Sequence, residues 1–312
     1  MPDGPGLVHV VDDVPELADP TVRPVLVHAL DGFLDAGNAG HLVADELGRR
    51  LGSRVVASFA VDELYDYRGR RPALSFLEDR YADYDAPRLV LRLVRDDAEV
   101  PFLLLAGPEP DYRWEAFALA VRSLVQRFGV SLVLGLGAVP MAVPHTRPLM
   151  LTRHATTPEL RREPNVWKGR LRVPASAHAV LELRLGEWGH PAMGFVAHVP
   201  HYVAQLDYPA AAVALLAAVS RQTGLRVDTA ALAAAAQVRM AEIATQVEAS
   251  AEIAEAVAAL ESQYDAFARA AEAPLPAGDD AGAGGAPLPS AEELGAAFER
   301  FLAGLDRRDE ES

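Results

Sequence analysis

The chain has 312 residues, 50% of them hydrophobic, and a formal net charge of -15. That length supports a large buried core, while the acidity repels nucleic acid and anionic lipid, whose binding rests on phosphate neutralisation by basic residues. The chain has no cysteine, which excludes disulfides, thiolate nucleophiles and cysteine-ligated zinc and fits a reducing compartment.

The opening Met1-Pro2-Asp3-Gly4 lacks the basic start of a signal peptide, and no apolar run reaches the ~18 residues of a membrane span. The expectation is a cytoplasmic protein that engages neither nucleic acid nor membrane. Arginine carries nearly all the positive charge, with Lys168 the only lysine. Nucleotide-dependent ligases and kinases generally use lysine as a phosphate point charge, so that chemistry has one candidate residue here.

In chain order, Pro24 to Leu30 reads as a buried strand, followed by the Asp31 to Asn38 loop and a helix with Leu42, Val43, Leu47 and Leu51 on one face. Val55 to Val61 is the next strand. Leu89 to Val94 and Val100 to Leu105 flank Asp96-Asp97-Ala98-Glu99 as a hairpin. Trp114, Phe117, Ala118, Val121, Leu124, Val125 and Phe128 recur at helical spacing and stop at Gly129. Leu132 to Leu136 is apolar on both faces, as a central strand covered by helices should be. Strand-like runs at Pro148 to Thr152 and Ala192 to Ala197, and a helix from Pro209, extend the alternation. The predicted fold is α/β, a mixed sheet flanked by helices.

The predicted organisation is an α/β body over 1–226, a C-terminal helical segment over 227–272, a Gly/Pro-rich tether over 273–289 and a short amphipathic tail helix over 290–312. Ser290 and Glu293 have capping-box spacing. Leu294, Phe298, Phe301, Leu302 and Leu305 line one face of the tail. So short a helix needs docking to offset nucleation, onto its own body, a sister subunit or a foreign partner.

Three arginine-bearing loops follow apolar runs: Asp66-Tyr67-Arg68-Gly69-Arg70-Arg71-Pro72, Gly107-Pro108-Glu109-Pro110-Asp111-Tyr112-Arg113-Trp114 and Pro144-His145-Thr146-Arg147-Pro148. Loops beyond strand carboxyl ends form the usual crevice of such sheets, so the three could converge there. Guanidinium forks match phosphate and carboxylate. Nearby Asp31, Asp35, Asp62, Glu63, Asp66, Glu109 and Asp111 could instead neutralise them as a network or subunit contact. Both readings stand on the residues alone.

No Gly-x-Ser-x-Gly elbow, phosphate loop or His-Glu-x-x-His helix occurs. Gly135-Leu136-Gly137 lacks a third glycine, since Pro140 holds that place, and reads as close strand packing. His145, His198 and His201 could in principle share a metal, but no carboxylate lies at ligand spacing and Pro200 places the last two on a loop. Structural histidines are the expectation, with no metal, cofactor or catalytic residue assigned.

Asp35-Ala36-Gly37, Tyr65 to Pro72, Glu109 to Trp114, Pro144 to Pro148 and Val199-Pro200-His201-Tyr202-Val203 stand in an order that resembles the proteasome assembly chaperone 2 family, in its bacterial branch. The likeness spans Pro24 to Phe267. It implies a phosphorylase-like α/β body, a C-terminal helical segment, self-association as homo-oligomers, a homotrimer or a multiple of it, and no established catalytic residues. It also brings proteasome subunits forward as partners. Some relatives insert a hydrophobic-tyrosine-any tail into α-subunit pockets, and the Arg307 to Ser312 ending here lacks that pattern.

The residues at issue for ligand or interface are therefore Asp35, Asp66, Arg68, Arg70, Arg71, Glu109, Arg113, Trp114, His145, Arg147, His201 and Tyr202. The leading expectation is a non-enzymatic assembly-chaperone-like oligomer. The alternative is a small-molecule enzyme or sensor in which Arg70, Arg113, His145 and Arg147 hold a phosphate or carboxylate, with Glu109 or Asp66 as proton acceptor.

Overall fold

The computed structural model describes residues 6–19, 21–50, 52–161 and 172–272. The predicted tether, the tail helix and Lys168 lie outside the described residues. Strands β1 (Val8–Val10), β2 (Val25–Asp31), β3 (Ser53–Phe59), β4 (Ser75–Leu77), β5 (Arg80–Ala82), β6 (Val90–Arg95), β7 (Pro101–Pro108), β8 (Leu132–Met141), β9 (Leu151–Ala155) and β10 (Ala192–Pro200) alternate with six helices. These are α1 (Ala39–Arg50), α2 (Trp114–Arg127), α3 (Ala177–Glu187), α4 (Pro209–Thr223), α5 (Ala230–Glu248) and α6 (Ala251–Glu272).

Eight strands form one mixed sheet in the order β1-β3-β6-β7-β2-β8-β10-β9. β7, β2, β8 and β10 run parallel, and the remaining pairings are antiparallel. The central strands are buried on both faces because helices cover both. On β2, Val27 and Ala29 join one core with α1, α4 and α5, while Leu26 and Leu30 point into the other with α2 and α3, as the twofold side-chain period requires.

Helix ends follow local chemistry. Ser176 caps α3 by accepting from the Ala179 amide at 3.1 Å. Pro209 opens α4, and Gly224, at φ +78°, closes it. The β6–β7 hairpin is tied to the α4–α5 connection by Asp96. Its Oδ1 accepts from the amides of Ala98 and Val100 and its Oδ2 from that of Arg226, at 2.7 to 2.9 Å.

Three features depart from the expectations. The strand sought at Pro148 begins only at Leu151, because Pro148 lacks an amide donor and its carbonyl is taken by α6. His198 lies inside β10, whose pairing with β8 runs on through Pro200 to Met141, so the strand, and not a loop, carries this histidine. Helix α3 and the small β4–β5 hairpin, separate from the main sheet, have no counterpart in the sequence reading.

Candidate functional site

The strand directions bring the carboxyl ends of β2, β3, β7, β8 and β10 to one edge of the sheet. There the first two arginine loops interlock. Arg70 donates from one terminal nitrogen to the Asp31 carbonyl at 3.3 Å, and from the other to the Glu109 carbonyl at 2.5 Å and the Asp111 carboxylate at 2.6 Å. Its guanidinium lies 4.5 Å above the Tyr65 ring. Asp111 also accepts from the Asp66 amide at 2.6 Å, and the Asp111 and Tyr112 amides donate back to the Leu64 carbonyl.

Asp66 shapes its own loop. Its Oδ1 accepts from the Arg68 amide at 2.9 Å, and these backbone contacts hold its carboxyl below the ordinary carboxylate range. Arg113, in the left-handed region at φ 57°, pairs with Glu63, and the Trp114 indole donates to the Pro110 carbonyl. Arg68 and Arg71 are exposed.

Glu109 is buried and works as a staple. Oε2 accepts from the Phe33 amide at 2.9 Å, and Oε1 accepts from the Ala177 amide, at the first turn of α3, at 2.7 Å. A negative charge at a helix N-terminus is favourable. Gly32 permits this approach, since a Cβ there would fall 2.4 Å from Glu109 Oε2.

The third loop goes elsewhere. Arg147 donates to both Asp265 oxygens at 2.8 Å and to Glu261 at 3.2 Å, while the Thr146 hydroxyl bonds Glu261. Tyr264 donates to the Pro148 carbonyl at 2.8 Å. With Val257 buried a further turn away, one stripe of α6 faces the body. His145 meets Tyr202, whose hydroxyl accepts from the His145 amide at 2.8 Å and lies 2.7 Å from its Nδ1. The His201 and Tyr202 rings are in edge contact. The three loops thus share an edge, but Arg147 is committed to α6, Arg70 to the Glu109 and Asp111 loop, and Arg113 to Glu63 just ahead of the Asp66 loop.

Asp35 stands between these groups. It accepts from the Gly40 amide at 2.6 Å at the start of α1, and burial, aided by the neighbouring charge of Asp31, pushes its carboxyl up to about 7. Hydrogen bonding to Asp31 pushes His41 up to about 9.

A second polar row lies within the sheet, and sequence reasoning did not find it. His28, Gly135, Gly194 and His154 are successive cross-strand partners on β2, β8, β10 and β9. The glycines leave a trough, filled over Gly135 by His178 of α3, its ring centroid 4.5 Å from that of His28, and over Gly194 by the His154 ring. His154 Nδ1 lies 2.8 Å from Glu182. His28 Nδ1 and His178 Nε2 have no hydrogen-bond partner among the described residues, and burial holds both rings well below the usual imidazole range. Gly135-Leu136-Gly137 was the signal, correctly read as close packing; what packs there was not legible.

Among the described residues, no three His, Asp or Glu side chains are placed to share a metal ion. The shallow recess beside Glu109, lined by Val61, Leu64, Tyr65 and Leu89, encloses no room for a water molecule and so none for a small ligand. No described helix is long and apolar enough to cross a membrane.

The fold and this edge define an α/β protein whose strand-end loops are cross-linked by internal ion pairs. The chain belongs to the PAC2 family, whose model matches residues 29–247. It is similar to a Mycobacterium tuberculosis protein of unknown function, at 50% identity over 87% of this chain and 93% of that chain, with a TM-score of 0.81. A Mycobacterium tuberculosis proteasome-assembly chaperone homologue is 28% identical over 75% and 99% of the two chains, with a TM-score of 0.69. A PAC2 family protein from Streptomyces avermitilis is 29% identical over 75% and 99%, with a TM-score of 0.66. No match was found among curated protein sequences.

Proposed function

We propose that this chain is a non-enzymatic, self-associating binding protein in proteasome assembly, and that the strand-end edge carries its contact surface. The likeness to a proteasome-assembly chaperone homologue supports the role. The observation that carries the non-enzymatic reading is the commitment of the loop cations. Arg70, Arg113 and Arg147 each hold carboxylates or carbonyls of the chain itself, so an incoming anion would have to displace an existing partner. That weakens the phosphate or carboxylate site considered from sequence.

The same edge is rich in the residue types that anchor protein interfaces. Phe33 and Tyr112 are both more than half exposed, with exposed Arg68 and Arg71 nearby in the loop set. Aromatic and arginine side chains around a rigid, internally bonded scaffold suit a protein partner better than a small ligand. Homotrimers are part of the proposal, as is a cytoplasmic location.

Purified proteasome α- and β-subunits, mixed with and without the chain, test the role on native gels over time. A changed rate or yield of assembled particles is expected. Identical assembly in both samples, with no complex containing the chain, would refute it.

A further inference from the structure

The β4–β5 hairpin is two strands of three residues, Ser75 to Leu77 and Arg80 to Ala82, paired only with each other. A lone two-stranded hairpin is marginal in water. This one exposes Leu74, Phe76, Leu77, Tyr81 and Tyr84 within eleven residues, Phe76 at 61% and Tyr81 at 73%. Phe76 and Tyr81 are direct cross-strand partners with ring centroids 5.2 Å apart, forming one aromatic face. The other exposed large apolar residues are spread far more thinly along the chain. Clustered exposure of this kind marks a covered surface.

The chain itself supplies a matching segment. Leu294, Phe298, Phe301, Leu302 and Leu305 repeat at helical spacing, an apolar stripe that gains stability only by docking. We propose that residues 290–305 dock on the aromatic face of the β4–β5 hairpin, in their own subunit or a sister subunit.

Reach permits it. Helix α6 is fastened by Tyr264 and Asp265 to the loop after β8, at the edge from which the hairpin also springs. β8 and β3 are four strand steps apart, about 19 Å at ~4.8 Å per step. A Gly-rich coil of 17 residues, the length of 273–289, has a root-mean-square reach of about 20–25 Å. Charge around the hairpin is mixed, with Arg68, Arg71 and Arg88 toward its base, Glu78 and Asp79 at its turn, and Asp83 and Asp85 on the return. Apolar contact therefore drives the docking.

The docking stands apart from the proposed proteasome role. Hydrogen-exchange mass spectrometry on the full chain tests it. In Phe298→Ala/Phe301→Ala, amides of residues 74–82 should exchange severalfold faster than in the unsubstituted chain. In Phe76→Ala/Tyr81→Ala, the acceleration should appear in residues 290–305. Phe76 and Tyr81 lie outside the buried core, and an unchanged thermal midpoint in each variant verifies the fold. Equal exchange of 74–82 with and without the tail phenylalanines overturns the docking. If protection persists and instead fades on dilution, the occupant is another surface of a second copy, and the proposal is equally overturned. Loss of the proteasome role alone would appear differently, as intact tail-dependent protection without any effect on particle assembly.

Discussion

Arg147, on the loop after β8, clasps Asp265 of α6 with two hydrogen bonds of 2.8 Å across 118 residues of sequence. Paired hydrogen bonds of this kind fix orientation as well as proximity. The rest of the attachment of α6 is the Thr146–Glu261 and Tyr264–Pro148 hydrogen bonds and buried Val257, while most of its surface faces solvent. Arg147→Ala is expected to leave the thermal midpoint of the body nearly unchanged while residues 257–269 lose exchange protection severalfold. Arg147→Lys should restore protection only in part, because an ammonium cannot reproduce the fork.

Arg70 binds the ends of β2 and β7 to the loop after β3 through backbone carbonyls. Its removal leaves those carbonyls without a charged donor in a half-buried setting. Arg70→Ala should lower stability by about 1–3 kcal/mol, measured by urea unfolding. Arg68→Ala, exposed in the same loop, should fall within roughly 0.5 kcal/mol of the unsubstituted chain.

Gly135 has no room for a methyl group. A Cβ there would lie 2.4 Å from His178 Nε2 and 2.8 Å from His28 Nε2. Gly135→Ala should therefore cost about 1–3 kcal/mol by overpacking. Combining it with His178→Ala should recover a measurable part of that loss, a non-additivity that identifies the contact.

Acid should loosen the fold through its buried imidazoles. Burial lowers His28 and His198 to about 4, against about 6.5 unfolded. The native state thus binds fewer protons, so its stability is full above pH 6.5 and falls as pH drops toward 4, by up to about 3 kcal/mol per histidine. Denaturant midpoints measured between pH 7 and 5 should decline, and His28→Gln should flatten the slope.

Asp35 works in the opposite sense. A carboxyl raised to about 7 by burial stays protonated in the native state while the unfolded chain ionises near 4, so it costs stability progressively as pH rises from about 4 to 7 and in full above that. Asp35→Asn keeps an acceptor for the Gly40 amide and removes that cost. Its stabilisation should be larger at pH 8 than at pH 5 by roughly 2 kcal/mol, read from parallel urea titrations.

Much of this architecture was legible because burial writes a periodic pattern. The both-face apolar run at Leu132 to Leu136 announced a central strand, and Trp114 to Phe128 an amphipathic helix with a glycine stop. Helix α3 escaped because its core-facing positions include His178 beside Leu181 and Leu185, and its cap draws on Glu109 from far along the chain. The β4–β5 hairpin escaped because its turn places Glu78 at φ 53°, where glycine or asparagine would have been the signal. At the edge, residue types named the loops correctly, but not their partners. Nothing local to Arg147 indicates that its carboxylates lie on α6.

The central claim is that this edge meets a protein partner from the proteasome and not a small anion. Native mass spectrometry of the chain mixed with purified proteasome α-subunits tests it most directly, alongside a Phe33→Ala/Tyr112→Ala variant of equal thermal midpoint. A discrete mixed complex that the variant fails to form is the predicted result. Absence of any complex with the intact chain, under conditions where the subunits themselves remain native, would contradict it.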